Sequence, residues 1–237
     1  KTTISSIIKI ILIKYFKLKV FKISVDDFYK TRKDRSLLSK KVHPMLLTRG
    51  VPGTHDINLI LNFFKKTKSK KFKSLKVPSF NKAVDDRSIK KNWQSIKEKP
   101  DVIIFEGWCV GSRSVPSADL ALPINTLEKS QDSEGIWRFA INDYLRQDYQ
   151  KLFSIIDKLI FLKAPDFATV LKWRNKQEEK LMVTRQKDQS HTMSNDDIAR
   201  FIEYFERITR DNLKIMPDIA DIVFEFNSNH QIFSQRL

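Results

Sequence analysis

"KISVDDFY", residues 22–29, is an apolar run that ends abruptly in two carboxylates. It closes the stretch "KVFKISV" (Lys19 to Val25), whose β-branched and aromatic content suits a strand of a covered sheet, and Asp26 and Asp27 stand directly after it. Three more runs share that character: "DVIIFEG" (101–107), "KLIFLKA" (158–164) and "DIVFEFN" (221–227). Between them lie longer helical patterns at residues 4–15, 55–66, 134–156 and 166–182. A fifth opens at "SNDD", where Ser194 suits the N-cap and Asp196 and Asp197 the first turn. Strands alternating with helices predict an α/β fold, a mainly parallel sheet flanked by helices.

In such sheets ligands gather at the carboxyl ends of the strands. Those ends are acidic here: Asp26 and Asp27 follow the first run, and Glu106 ends the apolar part of the second, just before Gly107. A carboxylate at such a tip suits a metal, or a water beside a phosphate, and it suits equally the capping of a neighbouring turn. Upstream, "KTT" (Lys1 to Thr3) runs straight into the helical pattern. In the phosphate-binding loop G-x-x-x-x-G-K-[ST], the lysine reaches the β- and γ-phosphates, the next hydroxyl ligates magnesium, and a helix begins at once. "KTT" matches the right-hand end of that pattern. Its position ahead of a helix, a strand, "DDFY" and "FEGW" gives it weight.

Composition sets the outer bounds. With 237 residues, 41% of them hydrophobic, the chain can bury a core as one domain or as one domain with a small appendage. Lys9, Lys14 and Lys17 interrupt the one long apolar run, so no window reaches the roughly 20 apolar residues of a membrane span. No small-residue cleavage site follows that run, and the single cysteine, Cys109, allows no internal disulfide, so the expected compartment is the cytoplasm. The formal charge of +16 invites a polyanionic partner. Lysines read as spread along the chain, with Ala and Gly scarce, which points to amino-acid bias and solubility; the densest run, "FFKKTKSKKFKSLK" (Phe63 to Lys76), reads as a solvated helix end and loop. Nucleic acid is therefore not an expected partner, and the oligomeric state stays open.

Six blocks together resemble the D-glycerate 3-kinase family of P-loop kinases, relatives of uridine kinase, phosphoribulokinase and pantothenate kinase. They are "ISVDDFYKT" (Ile23 to Thr31), "LLTRGVPGTHDINL" (Leu46 to Leu59), "VPSFNKAVDDRS" (Val77 to Ser88), "DVIIFEGWCVG" (Asp101 to Gly111), "LKWRNKQEEKL" (Leu171 to Leu181) and "TMSNDDIARFIEYFERIT" (Thr192 to Thr209). They come in the family's order and span nearly the whole chain, and "RGVPGTHD" and "FEGW" are the most specific of them.

The resemblance implies a single P-loop kinase domain over residues 1–237 with a helical lid at about 165–192. It also implies that a strand and a glycine-rich loop stand before residue 1. The expected activity is transfer of the γ-phosphate of ATP, with Mg2+, to a hydroxyl of a small metabolite, D-glycerate first. A nucleoside or pantothenate-like acceptor is the alternative, and a basic nucleotide-binding protein that binds nucleic acid is a third reading. By similarity, Lys1, Thr2, Thr3 and Arg174 face ATP, and Thr2 and Glu106 face magnesium. Asp26 is the candidate base, with Asp27 as fallback because adjacent strand-end residues point oppositely. Tyr29, Arg49, His55, Asp56, Lys82 and Arg87 fall on the acceptor side.

Within "TRGVPGTHD", Gly50, Pro52 and Gly53 suit a tight turn and Thr54 a helix cap. Arg49, His55 and Asp56 would then surround a helix N-terminus that favours a carboxylate, or else Arg49 and Asp56 pair with each other. The family usually carries Asp where this chain has Asn81. Arg174 lies on a charged helix with Lys176, Glu178, Glu179 and Lys180, which reads as well as a solvated face. Cys109 reads as packing, and the four histidines show no metal-ligand spacing.

Overall fold

β1 (Val20–Ser24) lies parallel to β6 (Val102–Glu106), in a register that sets Ser24 opposite Glu106, so both strands end at one level. The computed structural model describes residues 1–184 and 195–236 and divides them into two units, one of Lys1–Val110 with Phe139–Ile155, the other of Gly111–Arg138 with Ile156–Leu237. In the first unit α1 (Thr2–Lys14) packs on both strands. α2 (Arg32–Lys41) and α3 (Ile57–Lys68) follow β1. α3 buries Ile57, Ile60, Phe63, Phe64 and Thr67, the one-sided spacing of a helix that covers a sheet. Phe63 meets Phe28 and Phe64 meets the edge of Phe105, at ring separations of 5.8 and 5.4 Å. Each such burial stabilises by roughly 1.5–3 kcal/mol.

Between α3 and β6 the chain makes two small antiparallel pairs, β2 (Leu75–Val77) with β5 (Gln94–Ile96) and β3 (Phe80–Asn81) with β4 (Asp86–Arg87). The expected single helix over 134–156 is broken. α5 (Ile136–Tyr144) passes through a π turn at Leu145–Tyr149, where Gln150 N–H reaches Leu145 O, before α6 (Gln150–Phe153). The wider turn accompanies the burial of Leu145, Tyr149 and Leu152 together, and such turns recur at functional sites.

In the second unit α4 (Thr126–Gln131) precedes a three-stranded sheet. β7 (Ile160–Lys163) and β8 (Ile222–Phe226) run parallel, and β9 (Ile232–Arg236) adds an antiparallel edge. α7 (Phe167–Thr184) and α8 (Asn195–Ile219) pack on each other. Residues 185–192 of the expected lid and the Ser194 cap lie outside the described residues. Among the described residues no helix is long and apolar enough to cross a membrane.

The charge is not spread evenly. Residues 1–110 carry 26 Lys and Arg against 9 Asp and Glu, whereas residues 111–237 carry 18 against 19. A chain-wide bias would load both parts alike, so the whole surplus is a property of the first unit. Lys65, Lys66, Lys68, Lys70, Lys71, Lys73, Lys76, Lys90, Lys91, Lys97 and Lys99 are all exposed there, around the end of α3 and the β2–β5 pair.

Candidate active site

Lys1 is the N-cap of α1 and Thr2 its first residue, and both meet the end of β6. Thr2 Oγ1 donates to Glu106 Oε1 at 3.0 Å, and Lys1 Nζ lies 3.5 Å from Glu106 Oε2. Oε2 is buried and has no hydrogen-bond partner among the described residues. Gly107 after it is required by space: a Cβ there would stand 2.4 Å from Val25 Cγ1. Thr3 is exposed in the first turn of α1.

The two aspartates of "DDFY" part company within one 3-10 turn, Val25–Phe28. Asp27 folds back and accepts from Ser24 N–H at 3.2 Å while Ser24 Oγ accepts from Asp26 N–H, a reciprocal cap. Asp26 is thereby turned outward. It accepts from the Tyr29 hydroxyl at 2.9 Å and from Lys82 Nζ at 3.1 Å. Burial would raise the pKa of Asp26, but the charges of Lys82 and Lys1 and the hydrogen bonds from Tyr29 and Lys82 outweigh it and hold the carboxyl below its ordinary value. Asp27 moves the other way, raised by burial and by repulsion from Asp26 and Glu106. It lines, with Thr2, Ser24 and Glu106, a cleft of about 200 Å³. One strand end thus offers an ionised acceptor of protons and, beside it, a set of hard oxygens.

Around Tyr29 the loop after β1 and the turn before α3 are stitched together. Lys30 N–H bonds Thr54 O and Asp56 N–H bonds Phe28 O, each at 2.8 Å. The N-cap of α3 is Asp56, whose Oδ1 accepts from Leu59 N–H at 3.1 Å, and not Thr54. Thr54 instead is fully buried and closes its own turn, accepting from Gly50 N–H and donating to Val51 O. The end of α3 is therefore capped by its own carboxylate, which removes the expected anion site there. Nor do Arg49 and Asp56 pair. Asp56 Oδ2 takes Arg87 Nη2 at 3.1 Å, and Arg87 also holds Tyr29 O at 2.8 Å. Arg49 pairs with Asp85 and lies over the Phe80 ring, 5.6 Å from its centroid.

Two residues that the sequence did not single out complete this side. Arg35 of α2 is fully buried, donating to Leu47 O and Asp85 O and pairing with Asp85 Oδ2 at 2.9 Å, so two guanidinium groups share one carboxylate. Tyr149 is equally buried and its hydroxyl lies 2.5 Å from His55 Nδ1. His55 is 1% exposed and stacks on Tyr29 at 4.6 Å, and desolvation lowers its pKa from 6.5 to about 4. Among the described residues no three His, Cys, Asp or Glu form a metal-holding group. Cys109 is inert packing, its thiol pushed up to about 12 by burial. Arg174 belongs to the second unit, where it donates to Gln177 Oε1 at 3.3 Å and lies over the ring of Phe201.

Keeping His55 neutral ties stability to pH. A histidine whose folded pKa is depressed contributes fully above its unfolded value of 6.5, and that contribution is lost as pH falls toward about 4. The loss amounts to about 3 kcal/mol. Urea unfolding at pH 7 and pH 4 should show it in the wild type and a much smaller drop in His55→Gln; equal drops would mean that His55 is hydrated.

No family model matches the chain. It is 31% identical over 198 residues to a protein of Schizosaccharomyces pombe named Uncharacterized kinase mug58, a match covering 78% of this chain and 67% of that one. It is 28% identical over 203 residues to D-glycerate 3-kinase, chloroplastic, of Arabidopsis thaliana, which covers 82% of this chain and 42% of the plant protein. Among solved structures, D-glycerate 3-kinase from Cryptococcus neoformans var. grubii aligns with a TM-score of 0.82 at 22% identity, covering 98% of this chain and 84% of that chain, a likeness of fold.

Proposed function

The chain belongs to the D-glycerate 3-kinase-like family of P-loop kinases, and from that premise we propose that it transfers the γ-phosphoryl group of ATP to a hydroxyl of D-glycerate. The observation that carries the reading is Asp26: an aspartate held ionised just past the carboxyl end of β1 by Lys82, Lys1 and Tyr29, on the strand whose last residue, Ser24, is in register with Glu106. Asp26 takes the proton of the attacking hydroxyl, and Tyr29 and Lys82 fix the orientation of its two oxygens. Lys1 meets phosphate charge as a point cation. Arg35 and Arg49 together outweigh Asp85, and the surplus positive charge favours an acceptor that carries a carboxylate.

Magnesium fits the residues present. Oε2 of Glu106, which has no hydrogen bond and only the Lys1 ammonium 3.5 Å away, and the hydroxyl of Thr2 are hard oxygens, and an ion of this kind needs few protein ligands beside phosphate and water. Thr2 and Glu106 would hold it, and when bound it neutralises the β- and γ-phosphates. Arg49→Ala tests the acceptor side. An ionic hydrogen bond is worth about 1.5–3 kcal/mol, so the KM for D-glycerate should rise roughly ten- to hundredfold with the KM for ATP unchanged. An unaltered acceptor KM would leave Arg49 as a scaffold for Asp85.

The basic first unit supports the same reading, because a concentrated positive field gathers anionic substrates. The KM for ATP is expected to rise severalfold as salt goes from about 20 to about 200 mM, a range over which the screening length shortens well below the size of the unit. A KM that ignores salt would show that these lysines do not act on the nucleotide.

A further inference from the structure

Tyr149 has no part in the chemistry above, yet its buried hydroxyl is held from two sides, by Gly53 and by His55. It ends the π turn and is fully buried. Its oxygen accepts from Gly53 N–H at 3.1 Å and stands 2.5 Å from His55 Nδ1. Gly53 is held there by a φ of +96° and by the Tyr144 ring, 2.5 Å from where a Cβ would be. The Gly53 amide occupies one lone pair of the phenol oxygen. The phenol proton then has His55 Nδ1 as its acceptor, and the neutral imidazole must carry its own proton on Nε2. The opposite arrangement, Nδ1–H donating to Tyr149, would leave both the phenol proton and the Nε2 lone pair unused.

Nε2 is buried and has no hydrogen-bond partner among the described residues. A buried donor in that state is destabilising unless an oxygen comes to it. The ring that carries it lies flat on Tyr29, 4.6 Å away with 22° between planes, and Tyr29 donates to Asp26. His55 is thus one ring removed from the proposed base.

We propose that Tyr149 is a positioning residue that fixes His55 as the Nε2–H tautomer, so that His55 offers one neutral, directed donor to an oxygen of the hydroxy-acid acceptor. The proposal rests on the reading of the Asp26 side as the acceptor site. It gives the pocket a donor that stays neutral through neutral pH, beside the charged, planar donor fork of Arg49.

Imidazole 15N NMR reads the tautomer directly and needs no substrate. At pH 7 the wild type should show His55 protonated on Nε2 and bare on Nδ1, and Tyr149→Phe should lose that preference. In Tyr149→Phe the KM for D-glycerate should rise about tenfold with the KM for ATP unchanged. His55→Gln, which keeps an N–H donor, should retain more acceptor affinity than His55→Leu. Adding D-glycerate to the wild type should move the Nε2 resonance. A proton on Nδ1 in the wild type, or a Tyr149→Phe protein with tautomer and acceptor KM both unaltered, would overturn the proposal. If the tautomer depends on Tyr149 but only a different hydroxylated acceptor moves Nε2, the positioning role stands and the D-glycerate assignment fails.

Discussion

Asp26→Asn is expected to lower kcat by at least about a hundredfold and to leave the KM for ATP close to the wild-type value, because a general base contributes roughly 10²- to 10⁴-fold and does not grip the nucleotide. The amide keeps the shape of the carboxylate but has a single acceptor oxygen, so it retains the hydrogen bond from Tyr29 or from Lys82 and not both. It also loses the capacity to take a proton. Steady-state rates with each substrate varied in turn separate the possibilities, and parallel losses in rate and in ATP affinity would make Asp26 a part of the nucleotide site. Asp27→Asn should be milder in rate, since its carboxylate is spent on capping Ser24.

Arg35→Met should destabilise the protein more than any change to the exposed lysines. The arginine is buried to 0% exposure among three backbone carbonyls and Asp85, so its loss leaves Leu47 O and Asp85 O without their donor. Removing one partner of such a pair costs about 3–5 kcal/mol when fully buried, and the partial exposure of Asp85, with Arg49 still beside it, argues for the lower end, about 3 kcal/mol. That corresponds to a fall in Tm on the order of 10 °C for a chain of this size. A calorimetric shift of only a degree or two would mean that the loop relaxes and hydrates both carbonyls. The acceptor KM should rise as well, because Arg35 and Arg49 hold the same aspartate.

The four principal strands were legible because each is a short run dominated by β-branched and aromatic residues, and each lies within the stretch read for it. β9 was not, since an exposed edge strand with Ser234, Gln235 and Arg236 has no such signature. The pairs β2–β5 and β3–β4 are two or three residues long, too short for any periodicity. The π turn has no sequence mark at all.

The site divides along the same line. Lys1, Thr2, Asp26 and Glu106 were readable from their position at element ends, and the structure brings Thr2 and Lys1 to Glu106. Which acid pairs with which base was not readable. Arg49 meets Asp85 and Arg87 meets Asp56 because the β3–β4 hairpin folds back on the turn after β1, a tertiary fact. Arg35 sits in "RKDRSLLSKK", which reads as a solvated helix, and Tyr149 in the polar run "RQDYQK" (146–151); neither carries a local signal of burial. The basic field was legible in principle. Counting charge by segment and not over the whole chain would have shown it.

Phosphoryl transfer to D-glycerate can be measured as ADP release by the protein with ATP and each of D-glycerate, L-glycerate, uridine and pantothenate, with the phosphorylated product identified by mass and 31P NMR. D-glycerate should support turnover well above the rate without acceptor and yield a monophosphorylated hydroxy acid, with the other three far slower. Turnover with a nucleoside alone, or ADP release that no acceptor stimulates, would show that D-glycerate is not the acceptor.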